Sequence, residues 1–259
     1  MQISVLGSGS SGNCTYISSG RTCLLVDLGF GKRSLQRRLK DADLDQRPIT
    51  AVLLTHGHSD HISGVAAFAV QKSIAVFMNE GTRDESPQIQ SLDRLEIFDH
   101  ASSFQIGEIC VQAFGVSHDA AQPAGFRFTS NGISGAILTD IGELDSAVIE
   151  RIKGCDWLVM ESNHDEDMVK VGPYPWLLKR RILGSRGHLS NRALAEFLTH
   201  QFDGKAAHIF LAHLSRKNND PEIALASASA ALTGRSFGSC AGLRLHLTHQ
   251  SKPSIVISL

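Results

Sequence analysis

Residues 56–61 read His-Gly-His-Ser-Asp-His, which puts three imidazoles and a carboxylate within six positions. Side chains alternate along an extended segment, so His56 and His58 point to one side, and Asp60 and His61 follow at a turn into a helix. Nitrogen and oxygen donors in this mixture suit borderline cations such as zinc and manganese. The chain holds 12 histidines, and histidine is both the commonest metal ligand and the side chain that changes charge near neutral pH. Further polar residues stand just past apolar runs: His118-Asp119, Asp140, the stretch Glu161–Asp165, His188 in Gly-His-Leu-Ser-Asn, and His213. Each has a plainer reading when taken alone. His118 reads as a surface histidine, Asp140 as a helix N-cap, His213 as a core histidine, and Ser190 as the cap of the apolar helix over 193–197.

Such residues need a rigid frame. Ile3–Leu6 reads as a strand running into the turn-rich loop Gly7–Asn13, with strands at Cys14–Ser18 and Thr22–Asp27 and a basic helix from Lys32 to Asp41. Ala51–Thr55 is a buried strand that delivers the histidine cluster, and Ile62–Val70 an apolar helix. Strands follow at Leu95–Phe98, Ile109–Phe114, Gly125–Thr129 and Ile133–Leu138, then a helix over 144–152. Trp157–Met160 and His208–Ala212 are strands, helices dominate 165–200, Pro221 opens a helix to Leu232, and two short strands close the chain. His56, Asp140, His164 and His213 each follow a strand end. In α/β architectures ligands gather there, which points to one site assembled from the whole chain. With no linker, repeat or low-complexity stretch, residues 1–259 are expected to form a single domain.

Composition narrows the function. Apolar residues make up 42% and charged residues 20%, enough for a core and too apolar for disorder. A formal net charge of −1 excludes binding nucleic acid through bulk positive charge, so a phosphate-rich substrate must be gripped locally. Local cations are present: Lys179, Arg180, Arg181, Arg186 and Arg192 surround His188, and Arg216 and Lys217 follow His213. Two tryptophans and two tyrosines offer little for stacking on bases. Five scattered cysteines without a Cys-x-x-Cys pair exclude a disulfide scaffold and a thiolate zinc knuckle, and they fit a reducing cytoplasm. The start lacks a basic leader, and no apolar run approaches the ~20 residues of a membrane helix. A soluble cytoplasmic protein without membrane partners is expected.

Thr-His-Gly-His-Ser-Asp-His-Ile-Ser-Gly resembles the HxHxDH signature of the metallo-β-lactamase fold, an α/β four-layer αββα sandwich. That resemblance implies two divalent metal ions, zinc or manganese with magnesium or iron left open. His56, His58 and His118 would hold one, Asp60, His61 and His213 the other, and Asp140 would bridge. The segments LGSGSSGN, VSHDA, LTDIG, ESNHD, GPYP, GHLSN and AHLSRKNN are similar, from Met1 to about Pro221, to the YycJ (WalJ) branch of that superfamily, which is related to RNase Z-like phosphodiesterases. The branch implies a 5′→3′ DNA exonuclease, with DNA ahead of RNA as substrate and DNA repair as its setting. A metal-bridging hydroxide would be the nucleophile, with Asp60 and His188 catalytic and His188 assisting the leaving oxygen. Ser10, Ser11 and Asn13 would contact phosphate, and His164, Ser190 and Asn191 would also lie against substrate. Glu161–Asp165 would orient His188 or touch substrate. The rival reading is a small-molecule metallohydrolase acting on a thioester, lactone or cyclic phosphodiester, for which GHLSN and its basic surroundings have no purpose. A redox relative would carry glutamate where this chain has His58, and a silent binding module would have lost ligands.

Overall fold

Short runs of Val, Ile, Leu and Phe, buried on both sides, become strands because pleated backbone lets branched side chains pack to either face. The computed structural model describes residues 1–233 and 242–259. Their order is β1 (Gln2–Gly7), β2 (Cys14–Ser19), β3 (Thr22–Val26), α1 (Lys32–Asp41), β4 (Ala51–Leu53), α2 (Ser59–Ile62), α3 (Val65–Lys72), β5 (Ala75–Met78), α4 (Glu80–Asp84), β6 (Leu95–Ile97), β7 (Ser103–Ile106), β8 (Ile109–Gly115) and β9 (Ala124–Ser130). There follow β10 (Ile133–Leu138), α5 (Ser146–Ile152), β11 (Trp157–Glu161), α6 (Glu166–Val171), α7 (Trp176–Ile182), α8 (Asn191–His200), β12 (His208–Ala212), α9 (Pro221–Leu232), β13 (Arg244–Leu247) and β14 (Ile257–Ser258). These strands make two mixed seven-stranded sheets flanked by helices, the αββα class expected.

The chain divides into two compact units, each discontinuous in sequence. The first comprises residues 1–115, 120–133 and 249–259. Its large sheet runs β14-β1-β2-β3-β4-β5-β6, antiparallel from β14 to β3 and parallel from β3 to β6. Leu35 and Leu39 of α1 and Val65 and Phe68 of α3 join Leu25, Val52 and Val76 in one buried cluster. The antiparallel ribbon β7-β8-β9 meets this sheet through aromatic rings, with Phe77 and Phe104 stacked at 5.3 Å. Arg38 is buried without leaving its fork unmet: its guanidinium donates to the carbonyls of Leu6 (2.7 Å) and Gln250 (2.9 Å).

Residues 116–119 and 134–248 form the second unit. Here β10, β11, β12 and β13 lie parallel in sequence order. All parallel strands point the same way, so the residues that follow β10, β11 and β12 gather at one end. Gly135 lacks a side chain because the Trp157 indole occupies the space, where an added Cβ would sit 2.0 Å from the ring. Among the described residues no helix is long and apolar enough to cross a membrane. Cys14, Cys23, Cys110 and Cys155 are free thiols, and Cys240 lies outside the described residues.

Several expectations shift at their edges. The strand expected to reach Asp27 stops at Val26, since Asp27 takes a left-handed φ of 60°, and the one expected to reach Thr55 stops at Leu53. The single helix over 62–70 is two, broken where the Gly64 amide donates to the Leu28 carbonyl (2.9 Å). The helix placed from 144 starts at Ser146, because the Asp145 carboxylate caps the Val148 amide. The helical stretch 165–200 resolves into α6, α7 and α8, and β5, β7 and α4 are additional.

Candidate metal centre

In the first unit the chain leaves β4 extended through His58 and then turns into α2, so the expected alternation holds: the His56 and His58 rings lie 4.5 Å apart, and the His56 and His61 rings 4.1 Å. His56 and His61 are fully buried, and a buried imidazole needs partners for both nitrogens. Asp27 supplies one. Its Oδ2 accepts from His61 Nδ1 at 2.8 Å, while Thr55 donates its amide (2.9 Å) and hydroxyl to the same carboxylate. The Thr55 hydroxyl lies 2.9 Å from His56 Nδ1. Asn13 ties in the glycine-rich loop: its Nδ2 donates to His61 Nε2 (2.9 Å) and Asp60 Oδ2 (3.2 Å), and its Oδ1 accepts from the Gly9 amide. The Asp60 carbonyl takes the Asn13 amide at 2.8 Å and passes so close to Gly29 that a Cβ there would sit 1.7 Å away.

In the second unit Asp140, Glu161, His188 and His213 offer ligand atoms within 4.8 Å of one another. Asp140 and His213 both sit at a φ of 57°, a left-handed conformation that costs non-glycine residues about 1 kcal/mol or more. Strain of that kind persists where the surroundings fix the side chain. Glu161, fully buried at the end of β11, does the fixing: its Oε1 accepts from His213 Nδ1 (2.7 Å) and His188 Nδ1 (2.9 Å). Its Oε2 takes the backbone amides of Ile141 (2.7 Å) and Leu189 (3.4 Å). His118 is buried, with Nδ1 on the Gly187 carbonyl at 2.9 Å. The His188 ring lies between those of His118 (5.2 Å) and His213 (5.1 Å).

One regularity tests whether these residues fit a metal. His56, His118 and His213 each have Nδ1 against a hydroxyl, carboxylate or carbonyl, which fixes the tautomer and turns the Nε2 lone pair toward coordination, whereas the Nε2 of His61 takes the Asn13 amide. Three histidines with that bias are prepared as ligands, and they fit. Charge follows the same geometry. Burial alone would raise the Glu161 carboxyl, but His188 and His213 bring it down to about 2. Burial lowers His118 against the pull of Asp140 and Glu161. Burial also opposes protonation of His188, yet Glu161 and Asp140 outweigh it and raise its pKa. His164, wholly buried, is lowered to about 4.

The residues expected at the substrate separate by exposure. Ser10 and Ser11 are exposed. Asn13, His164, Ser190 and Asn191 are buried. The Ser190 hydroxyl accepts from the Ala193 amide as the cap of α8 and donates to Glu166 (3.0 Å). Asn191 bonds Ser162 (2.7 Å) and Asn219 (2.8 Å). The N-cap reading of Asp140 fails, since α5 is capped by Asp145. Sequence reasoning missed Asp27 and left Glu161 within a loop of undecided role. Both close an apolar strand with a lone acid, the same signal that singled out Asp140.

A protein-family model described as a β-lactamase superfamily domain matches residues 22–213. The chain belongs to the β-lactamase superfamily. It is 37% identical over 257 residues to an exodeoxyribonuclease, YycJ, of Bacillus anthracis, an alignment spanning 98% of this chain and 97% of the relative. To the exodeoxyribonuclease WalJ of Streptococcus pneumoniae it is 35% identical, covering 85% and 84%. Among solved structures, zinc-bound PqqB from Methylobacterium extorquens has the same fold, with a TM-score of 0.73, 16% identity and full coverage of both chains. Superfamily membership and the prepared donor set together make this chain a metal-dependent hydrolase with a dinuclear divalent-metal site.

Proposed function

We propose that the chain is a 5′→3′ DNA exonuclease of the cytoplasm, working as a single domain, with DNA repair as its setting. The observation that carries the reading is the Glu161–His188 pair. A buried carboxylate holds Nδ1 of a histidine whose side chain is one-fifth exposed (20%) and whose pKa is raised. With Nδ1 held in this way, Nε2 is the nitrogen that can deliver a proton to a strongly basic leaving oxygen, as the sugar oxygen of a phosphodiester is. A thioester expels a weakly basic sulfur and has no use for that proton.

Two divalent cations, zinc or manganese, supply water of lowered pKa and charge neutralisation at phosphoryl oxygens when bound. His56, His58 and His118 would hold one and Asp60, His61 and His213 the other, with Asp140 shared between them. Asp27 and Glu161 orient ligand imidazoles from behind. Asp60 carries one catalytic carboxylate, steadied by Asn13. Ser10 and Ser11, being exposed, are the hydroxyls available to phosphate oxygens. Asn13, His164, Ser190 and Asn191 support the walls of the site. Two exodeoxyribonuclease relatives support DNA as the substrate, and four free thiols support a reducing compartment.

The test is His188→Ala on two substrates. Turnover of DNA should fall about 10²–10⁴-fold, the usual worth of a positioned acid, with both metals retained. On a phosphodiester with an activated phenolate leaving group the loss should shrink. An equal loss on both removes His188 from the acid role, and rapid thioester cleavage with inert DNA favours a small-molecule hydrolase.

A further inference from the structure

The chain has two tryptophans, and folding treats them oppositely. Trp157 is wholly buried in β11, whereas Trp176, the first residue of α7, is 70% exposed. Leu177 beside it is 69% exposed. An indole and a leucine left in water next to each other are a large apolar area with no structural use. Cations frame them. Lys217 Nζ lies over the Tyr174 ring at 5.6 Å, and Arg180 is exposed on α7. On α6, α7 and α8, Lys170, Arg181 and Arg192 are taken up in ion pairs with Asp167, Asp119 and Glu196. Among the described residues, Arg180, Arg216 and Lys217 have no carboxylate at ion-pair distance.

The patch is joined to the chemistry through the backbone. The His188 amide donates to the Ile182 carbonyl at the end of α7 (3.1 Å), and the Gly187 amide to Gly184 (2.8 Å). A Cβ on Gly187 would meet the Arg181 carbonyl at 2.2 Å, so the return loop is drawn tight against the helix. Trp176 lies six residues back from Ile182, about 9 Å along a helix. That is the rise of two or three stacked nucleotides.

Resting on the nuclease reading, we infer that Trp176 is a stacking platform for an unpaired base of a single DNA strand whose phosphates lie on Arg180, Arg216 and Lys217. An indole stacks on any base whose face is open, and inside a duplex both faces are covered, so the platform selects single strands or frayed ends. A second copy of the chain fits less well. A twofold contact sets the same patch against itself, which would oppose these cations to one another.

The experiment titrates a phosphorothioate-linked single strand of thymidines, which resists cleavage, into metal-loaded protein and reads anisotropy and tryptophan emission. Emission of wild-type protein should change on binding, since Trp157 is shielded and Trp176 is not. Trp176→Ala should weaken binding about 5- to 150-fold, the worth of one base–aromatic stack, and Trp176→Phe should restore most of it. Wild-type protein that cuts DNA while Trp176→Ala binds equally well overturns the platform alone. A wild-type dimer that Trp176→Ala dissociates also overturns it, assigning the patch to a second copy. Wild-type protein that neither binds nor cuts DNA overturns the nuclease reading and the platform with it.

Discussion

Replacing Glu161 by glutamine turns one buried oxygen into an NH2 group, and no orientation of that amide satisfies the four donors facing the carboxylate. His188 and His213 approach one oxygen through Nδ1, and the amides of Ile141 and Leu189 approach the other. If the amide nitrogen faces the backbone, donor meets donor in a fully buried place. Each orphan there costs about 1–3 kcal/mol, which at this chain length lowers Tm by several degrees, at about 2–4 °C per kcal/mol. If the amide is flipped, its nitrogen faces both imidazoles. They must then offer Nδ1 lone pairs and carry their protons on Nε2, the atom that His213 needs for a metal. Affinity for the cation His213 binds should fall about 10–100-fold, the usual cost of a lost orienting partner. Chelator competition at fixed pH reads the second effect and calorimetry the first. A Glu161→Gln protein with metal affinity within twofold of wild type and an unchanged Tm refutes the orienting role.

Asp140→Ala should empty or disorder both metal positions and abolish turnover, whereas His213→Ala should weaken one. Metal analysis of both variants decides, and two tight equivalents in Asp140→Ala would remove it as the shared ligand. Stability should also carry an acid limit from His246, which burial, with help from His208 and Arg244, lowers to about 4. Its ring lies 5.2 Å from that of His208. Protonation favours the unfolded chain, where histidine titrates near 6.5. The contribution is therefore complete above about pH 6.5 and lost as pH falls through about 4. Urea midpoints of chelated protein should drop over that window, less steeply in His246→Gln, and parallel curves would contradict the assignment.

How much of the site was legible depended on distance along the chain. His56, His58, Asp60 and His61 are contiguous, and alternation alone sets their directions. Their supports are remote: Asp27 stands 34 residues from His61, Glu161 52 from His213, and Gly187 69 from His118. Those pairings depend on tertiary packing that periodicity does not encode. The same limit explains the substrate side. Ser190 and Asn191 look like polar contacts in a sequence, yet folding spends them on a helix cap and a buried amide network. Trp176 is the reverse case: a count of two tryptophans offers little for stacking on bases, yet the fold leaves this one in water. Strand cores were easiest to read, because β11 and β12 are buried along almost their whole length.

The most direct measurement incubates protein loaded with manganese or zinc with DNA labelled separately at its 5′ and 3′ ends. The account predicts that the 5′ label is released early as short product while the 3′ label persists on a shortening ladder, and that chelator stops both. Inert DNA from a preparation holding two metals per chain, with rapid hydrolysis of a thioester or lactone, would contradict it.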